Sequence, residues 1–404
     1  MTGRELGRRD VCRLGATSAL AMAGLGAGTG TVVGDSRPTT NGQIVFIYDD
    51  SWREDWTDTF PVHQEEDVPA CCAAVVDYVD TSWGLLPEHL REMEADGWEI
   101  MSHTASHVAV GNLYLTAPAE PGDERLALDG SFLGDHEGDP IVVSDGDRTV
   151  ENAVAGGDRD DDGIYLDLEE PIDEAFDAGT AFARFTDERV RDEVVGSKEA
   201  LESMGVDVDA FVSPFGRSDG LVDDLVREHY AAFANRGGNG LNSLAGLDSY
   251  ELGRSSIDGN AVSEPEIETF YDDVAASDTL GIVVGHSQFD ETTPERVRFA
   301  IREAKARDLE IVTLREALRE HDAWPASEGG ESAGDGDGAE GDADGSESTG
   351  TEAETESESD DGDGLASTVR DNRTPILAGT GLATAGLAGT ALYRRRQRED
   401  ENRL

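Results

Sequence analysis

The apolar run Gln43-Ile44-Val45-Phe46-Ile47-Tyr48 ends in two carboxylates, Asp49 and Asp50. Farther along, a second apolar stretch runs into Ser102-His103-Thr104-Ala105-Ser106-His107. Imidazoles spaced i, i+4 share one face of a helix or tight turn, and a carboxylate from a neighbouring strand end completes a three-ligand set for one metal ion, with positions left open for water. An adjacent carboxylate not spent on the metal could deprotonate that water. The chemistry in view is hydrolysis at a metal centre.

Such a set works only if the chain brings it to one place. Strand-like and helix-like runs alternate: Ile44 to Tyr48, then Pro87 to Asp96 before Trp98 to Ser102, then Gly196 to Met204 before Ala210 to Val212. Later come Leu280 to Gly285, Pro294 to Arg307, and Ile311 to Leu314 before Arg315 to Glu320. This alternation predicts a parallel α/β sheet or barrel, with its chemistry where the strands end. Asp49, His103, Pro214 and His286 each follow a strand-like run, so a barrel would converge them. Residues from about 108 to 191 break the rhythm with turn-rich acidic sequence around short alternating segments, and a β-rich insertion is expected there. Inside it, Asp158, Asp160, Asp162 and Glu169 match the ligand spacing of an EF-hand calcium loop. The flanks do not read as helices, so an acidic β-turn is the favoured reading and Ca2+ the secondary one.

The chain has 404 residues, 87 acidic and 32 basic, for a formal charge of -55. That balance excludes a nucleic-acid binder. Lys198 and Lys305 are the sole lysines, and the acidic excess is spread along the whole sequence, as suits a surface kept hydrated in concentrated salt. Of the three cysteines, Cys71 and Cys72 are neighbours, so no disulfide scaffold is expected and both read as small buried hydrophobes.

The ends indicate where the protein works. Residues 1–38 carry Arg8-Arg9 before a short apolar run, the pattern of a signal read by the Tat export machinery. Residues 39–322 make the catalytic domain. Residues 326–366 form an acidic linker too polar to fold. Residues 374–393 are uncharged and long enough to span a membrane once as a helix, and the arginine-rich 394–404 would stay in the cytoplasm. The expected location is the cell membrane, with the catalytic domain outside.

Two further segments are Phe211-Val212-Ser213-Pro214-Phe215-Gly216 and Gly281-Ile282-Val283-Val284-Gly285-His286. With Tyr48-Asp49-Asp50 and the His103/His107 pair, in this order, the sequence resembles the polysaccharide deacetylases, the NodB-homology group or carbohydrate esterase family four, in a haloarchaeal, exported and membrane-anchored form. The resemblance spans roughly Ile44 to Leu318 outside the insertion. It implies a distorted (β/α) barrel with a divalent metal, usually Zn2+, although Co2+, Mn2+ or Ni2+ suit the same ligands. Carried over by motif, Asp50, His103 and His107 are the ligands, Asp49 the general base and His286 the general acid. The segment of Pro214 and Phe215 lies at the substrate, with the Phe215 N–H on the oxyanion, and Ser106 or Thr104 holds the histidine loop. Many members place a base-orienting arginine where Val212 stands here, as in the variant found in deacetylases of poly-N-acetylglucosamine type. Arg254 or Arg217 could supply the missing charge.

The implied function is removal of N-acetyl groups from an N-acetylated glycan at the cell surface. A first alternative is an O-acetyl esterase or other amide hydrolase on the same fold. A second is a non-catalytic carbohydrate-binding surface protein, against which Asp49 and His286 argue, because binding needs neither base nor acid. Trp52 and Trp56 either floor a sugar subsite or fill core.

Overall fold

The computed structural model describes residues 42–130 and 136–325. The leader 1–38, the linker 326–366, the span 374–393 and the tail 394–404 lie outside the described residues. Among the described residues no helix is long and apolar enough to cross a membrane.

Three short apolar runs open the sheet as β1 (Gln43–Asp49), β2 (Cys71–Ala74) and β3 (Glu99–Ser102), paired in parallel in that order. The chain then leaves to build β4 (Leu113–Tyr114), β5 (Arg125–Leu128), β6 (Pro140–Ser144), β7 (Thr149–Asp160), β8 (Gly163–Leu168) and β9 (Phe182–Phe185). It returns as β10 (Val208–Val212), β11 (Ala232–Ala234), β12 (Leu241–Ser243), β13 (Ser255–Ser256), β14 (Thr279–Gly285) and β15 (Glu310–Ile311).

In the main sheet β10 pairs with β3 and β11, while β14 pairs with β1, all in parallel. The ring closes through residues 252–256. Leu252 bridges Ala234 at the end of β11, and β13, three residues later, pairs in parallel with β14. The result is the expected α/β barrel, distorted because the closing strand is so short. Its interior is filled by small and branched side chains: Val45 and Ile47, Cys71 and Ala73, Ala210 and Val212, Ala232 and Ala234, Leu280 and Ile282. Helix Leu314–Glu320 plugs the end where the strands begin, adding Leu314, Ala317 and Leu318 to that core.

Strand alternation explains what stands at the other end. Successive side chains point to opposite faces, so the inward residues of β1 are Val45, Ile47 and then Asp49. By the same count Met101 is followed inward by His103, Leu252 by Arg254, and Ile282 by Val284 and His286. Outward residues such as Ile44, Phe46 and Tyr48 pack instead under the helices in the larger core.

The insertion forms its own sheet in the order β4-β9-β6-β7-β8-β5, entirely antiparallel. Leu115 and Leu128 bridge its first and last strands, and the Thr116 and Asp129 N–H groups donate to the Ala127 and Tyr114 carbonyls at 2.9 Å. These bonds cover both edges, making a second small barrel around Leu126, Leu128, Ile141, Val143, Leu166, Phe176 and Phe185.

Asp158, Asp160, Asp162 and Glu169, whose spacing gave Ca2+ as the secondary reading, lie where the favoured acidic β-turn was expected. The segment is a β-hairpin: Asp160 pairs with Gly163 across the two-residue turn Asp161-Asp162, and Asp158 lies opposite Tyr165. Asp160 accepts the Asp162 N–H at 2.9 Å and lies 3.4 Å from the Arg125 guanidinium, while the Glu169 N–H donates to the Ala153 carbonyl. Asp158 and Asp160 lie on strand β7, Asp162 in the turn and Glu169 past the end of β8.

Candidate active site

Asp49, Asp50, His103, His107, Arg254 and His286 meet where the parallel strands end. Asp50 directly follows β1 and has a left-handed backbone (φ 78°), as do Ser51, Thr104, His107 and Phe215 around the same space. Left-handed non-glycine residues typically cost about 1 kcal/mol or more each, so the surrounding packing must hold these turns. His103 and His107 are joined by a turn and not by a helix. Thr104 shapes that turn by accepting the His107 N–H at 3.0 Å.

Asp50 Oδ1 lies 3.0 Å from His107 Nε2 and 3.4 Å from His103 Nε2. His103 Nδ1 is 2.8 Å from the Val212 carbonyl, which can only accept, so the proton sits on Nδ1 and Nε2 carries the lone pair. Buried Asp50 Oδ1 and His103 Nε2 thus face each other as two acceptors. The ligating atoms of Asp50, His103 and His107 lie within 4.8 Å of one another, and no other three His, Cys, Asp or Glu side chains converge so among the described residues. The donor set fits a divalent transition metal with open coordination positions. Gln288, which the sequence did not single out, donates to Asp50 Oδ2 at 2.5 Å and fixes its other oxygen.

Asp49 is turned the other way. Arg254 grips it through two hydrogen bonds, Nη1 to Oδ1 at 2.7 Å and Nη2 to Oδ2 at 2.8 Å, with both residues buried. Burial by itself would raise the Asp49 carboxyl, but the charge and hydrogen bonds of Arg254 outweigh it and hold it below its ordinary range. The charge missing at Val212 therefore arrives from residue 254. Arg217 does not reach Asp49; it is spent on Asp129, with Nη1 to Oδ2 at 3.0 Å and Nη2 to the carbonyl at 3.1 Å.

His286 Nε2 stands 3.9 Å from Asp49 Oδ2. Its Nδ1 is 2.7 Å from Asp258 Oδ2, and its backbone N–H donates to Asp258 Oδ1 at 2.8 Å. Burial disfavours a charged imidazole, but Asp258 reverses that and the ring is pushed up to about 9. Sequence reasoning missed Asp258, one carboxylate among 87 acidic residues with no motif around it.

Pro214 and Phe215 form a single turn after β10, with the Phe215 ring 4.9 Å from that of His107. Trp52 belongs to the core, packed with Tyr78 and against Trp83 at 4.6 Å. Trp56 stacks on Phe60 and His89.

Residues 36–121 match the family model described as polysaccharide deacetylase. The match takes in Asp49, Asp50, His103 and His107, and it supports a polysaccharide deacetylase domain in this chain. No curated protein matches. Among solved structures, the chain is similar to a chitin deacetylase from the fungal pathogen Colletotrichum lindemuthianum, at 15% identity over 69% of this chain and 88% of that one, with a TM-score of 0.40. It is also similar to a family 4 acetyl xylan esterase from Clostridium thermocellum in complex with a cobalt ion, at 14% identity over 69% and 91%, with a TM-score of 0.38. A third is a CE4 family pseudoenzyme from Bacillus anthracis, at 9% identity over 70% and 66%, with a TM-score of 0.40.

Proposed function

We propose that the protein is a metal-dependent hydrolase that removes N-acetyl groups from an N-acetylated glycan at the cell surface, exported by the Tat route and tethered by residues 374–393. The observation that carries this reading is a base and an acid held in opposite charge states, with Asp49 and His286 3.9 Å apart beside a three-ligand set. A divalent ion on Asp50, His103 and His107, most simply Zn2+, would supply Lewis acidity toward water and the acetyl carbonyl. Asp49, kept ionised and oriented by Arg254, takes the proton of the attacking water. The Phe215 N–H, on its left-handed turn, donates to the oxygen on which negative charge develops, an effect typically worth several kcal/mol. His286, held protonated by Asp258, delivers a proton to the leaving nitrogen. An amine cannot leave as an anion, whereas an alkoxide leaves far more easily, so a charged His286 favours the amide over the O-acetyl ester.

The test uses the full-length protein in concentrated salt, with N-acetylglucosamine oligomers and O-acetylated esters as substrates. Chelator-sensitive acetate release from the oligomers, lost in His103→Ala together with the bound metal, is the expected result. Release from esters alone would replace the amide reading with the esterase one. Stoichiometric metal without acetate from either would overturn the hydrolase.

A further inference from the structure

The loop that carries His103 and His107 is gripped from a direction that none of the catalytic groups explains. Glu193 is fully buried on a π-helical turn, Asp192–Gly196, which follows the insertion. Its carboxylate accepts the Ser106 N–H at 2.9 Å and the Ser106 hydroxyl at 2.5 Å, and its backbone carbonyl accepts the Ala105 N–H at 3.1 Å. Three bonds from one residue therefore hold the two positions just before His107.

A buried carboxylate needs a counter-charge. Arg189 supplies it, pairing with Glu193 through Nη1 and donating from Nη2 to Ser106 Oγ at 3.1 Å, so that Glu193, Ser106 and Arg189 form a closed triangle. The Arg189 Nε–H donates to Asp139 Oδ2 at 3.2 Å, and Asp139 immediately precedes β6 of the small barrel. The chain of contacts runs from the insertion, through two charges, into the turn that aims His107 at Asp50. Neither Glu193 nor Arg189 touches Asp50, Asp49 or His286 by any hydrogen bond or ion pair among the described residues.

We infer that Glu193 and Ser106 are positioning residues for the metal site, and that the insertion, through Arg189 and Asp139, sets the placement of His107. This rests on the metal-site reading above. The physical basis is that His107 stands on a left-handed backbone (φ 60°), a conformation that must be enforced from outside. Groups hydrogen-bonded behind a ligand commonly change metal affinity by about tenfold to a hundredfold.

The experiment titrates cobalt(II) into the full-length metal-free protein and records the dissociation constant, the visible ligand-field bands and the unfolding temperature. The variants are Ser106→Ala, Glu193→Gln and Glu193→Ala, with Arg125→Gln, on β5 of the insertion, as control. Cobalt binding is expected to weaken about tenfold in Ser106→Ala and up to about a hundredfold in Glu193→Ala. Glu193→Gln should fall between them, the bands should shift in all three, and Arg125→Gln should match the unaltered protein. Should Glu193→Ala fail to fold, Ser106→Ala, which removes only a hydroxyl, still decides. Lower unfolding temperatures with unchanged affinity and bands would overturn the inference alone, leaving Glu193 merely structural. Absence of cobalt binding in the unaltered protein would overturn the metal-site reading and the inference with it.

Discussion

One strand of the barrel carries a buried acid or ligand at each end of the same inward face: Glu99 where β3 begins and His103 just beyond where it stops. Burial is nearly complete at both ends, with Glu99 5% exposed and Asp49, beside His103, 2% exposed. The two carboxyls nevertheless behave oppositely. Glu99 is raised to about 7 by burial, because what offsets it is chiefly the Arg315 N–H at 2.7 Å, with the Arg315 guanidinium only at 4.0 Å. Asp49 is lowered in spite of burial, because a guanidinium meets both its oxygens. Depth does not set the charge state of an acid in this barrel; the partner does. The end plugged by helix Leu314–Glu320 keeps an acid that readily takes up a proton, while the open end keeps Asp49 ionised.

The largest effect that would break this contrast comes from Asp49→Asn. Acetate release should fall by about a hundredfold to ten-thousandfold, with metal stoichiometry unchanged. Loss of metal as well would mean that Asp49 serves as a ligand and not as a base. Next is Arg254→Gln, which leaves the Asp49 charge buried without its counter-ion. Denaturant unfolding should show about 3–5 kcal/mol lost. In protein that remains folded, the acid limb of the rate profile should move to higher pH, since burial then governs Asp49 unopposed.

Asp258→Asn sharpens the comparison on the acid side of the site. His286 is protonated below about 9, so turnover of an amide should fall as pH rises through that value. Removing Asp258 takes away the main raising influence, and the alkaline limb should move down toward the ordinary 6.5. An alkaline limb unmoved by this change would assign that proton to another group.

The smallest effect is expected at the plugged end. A carboxyl whose folded pKa is raised from 4.5 to about 7 favours the folded state fully below 4.5, and that advantage is lost as pH rises through 7. The change amounts to roughly 3 kcal/mol at most. Glu99→Gln should flatten this slope between about pH 4.5 and 7 in equilibrium unfolding and leave acetate release intact. A slope that persists in the variant would place the titration elsewhere.

Much of the fold was legible because its signals are local. Apolar runs with alternating helices predicted a parallel α/β sheet or barrel, and the turn-rich stretch predicted the β-rich insertion, since strand and helix periods are properties of neighbouring residues. The convergence of Asp49, His103 and His286 follows from their places just after strands. Closure of the barrel by residues 252–256 was not legible, because Ser255-Ser256 is too short and too polar to read as a strand. The acidic β-turn at residues 158–163 was legible over the calcium spacing, because a chain this rich in Asp matches such patterns by composition. Asp258, Gln288 and Glu193 carried no motif at all, and each is informative only through what it touches.

By itself, then, the sequence determined the candidate ligand and acid–base residue types and their order along the chain, because chemistry requires particular side chains and strand ends present them. Tertiary structure alone decided that Arg254 and not Arg217 meets Asp49, that Asp258 charges His286, and that Glu193 braces the histidine turn. Each of these is a long-range pairing of groups separated in sequence, fixed only when the ring of strands closes and removes water from between them.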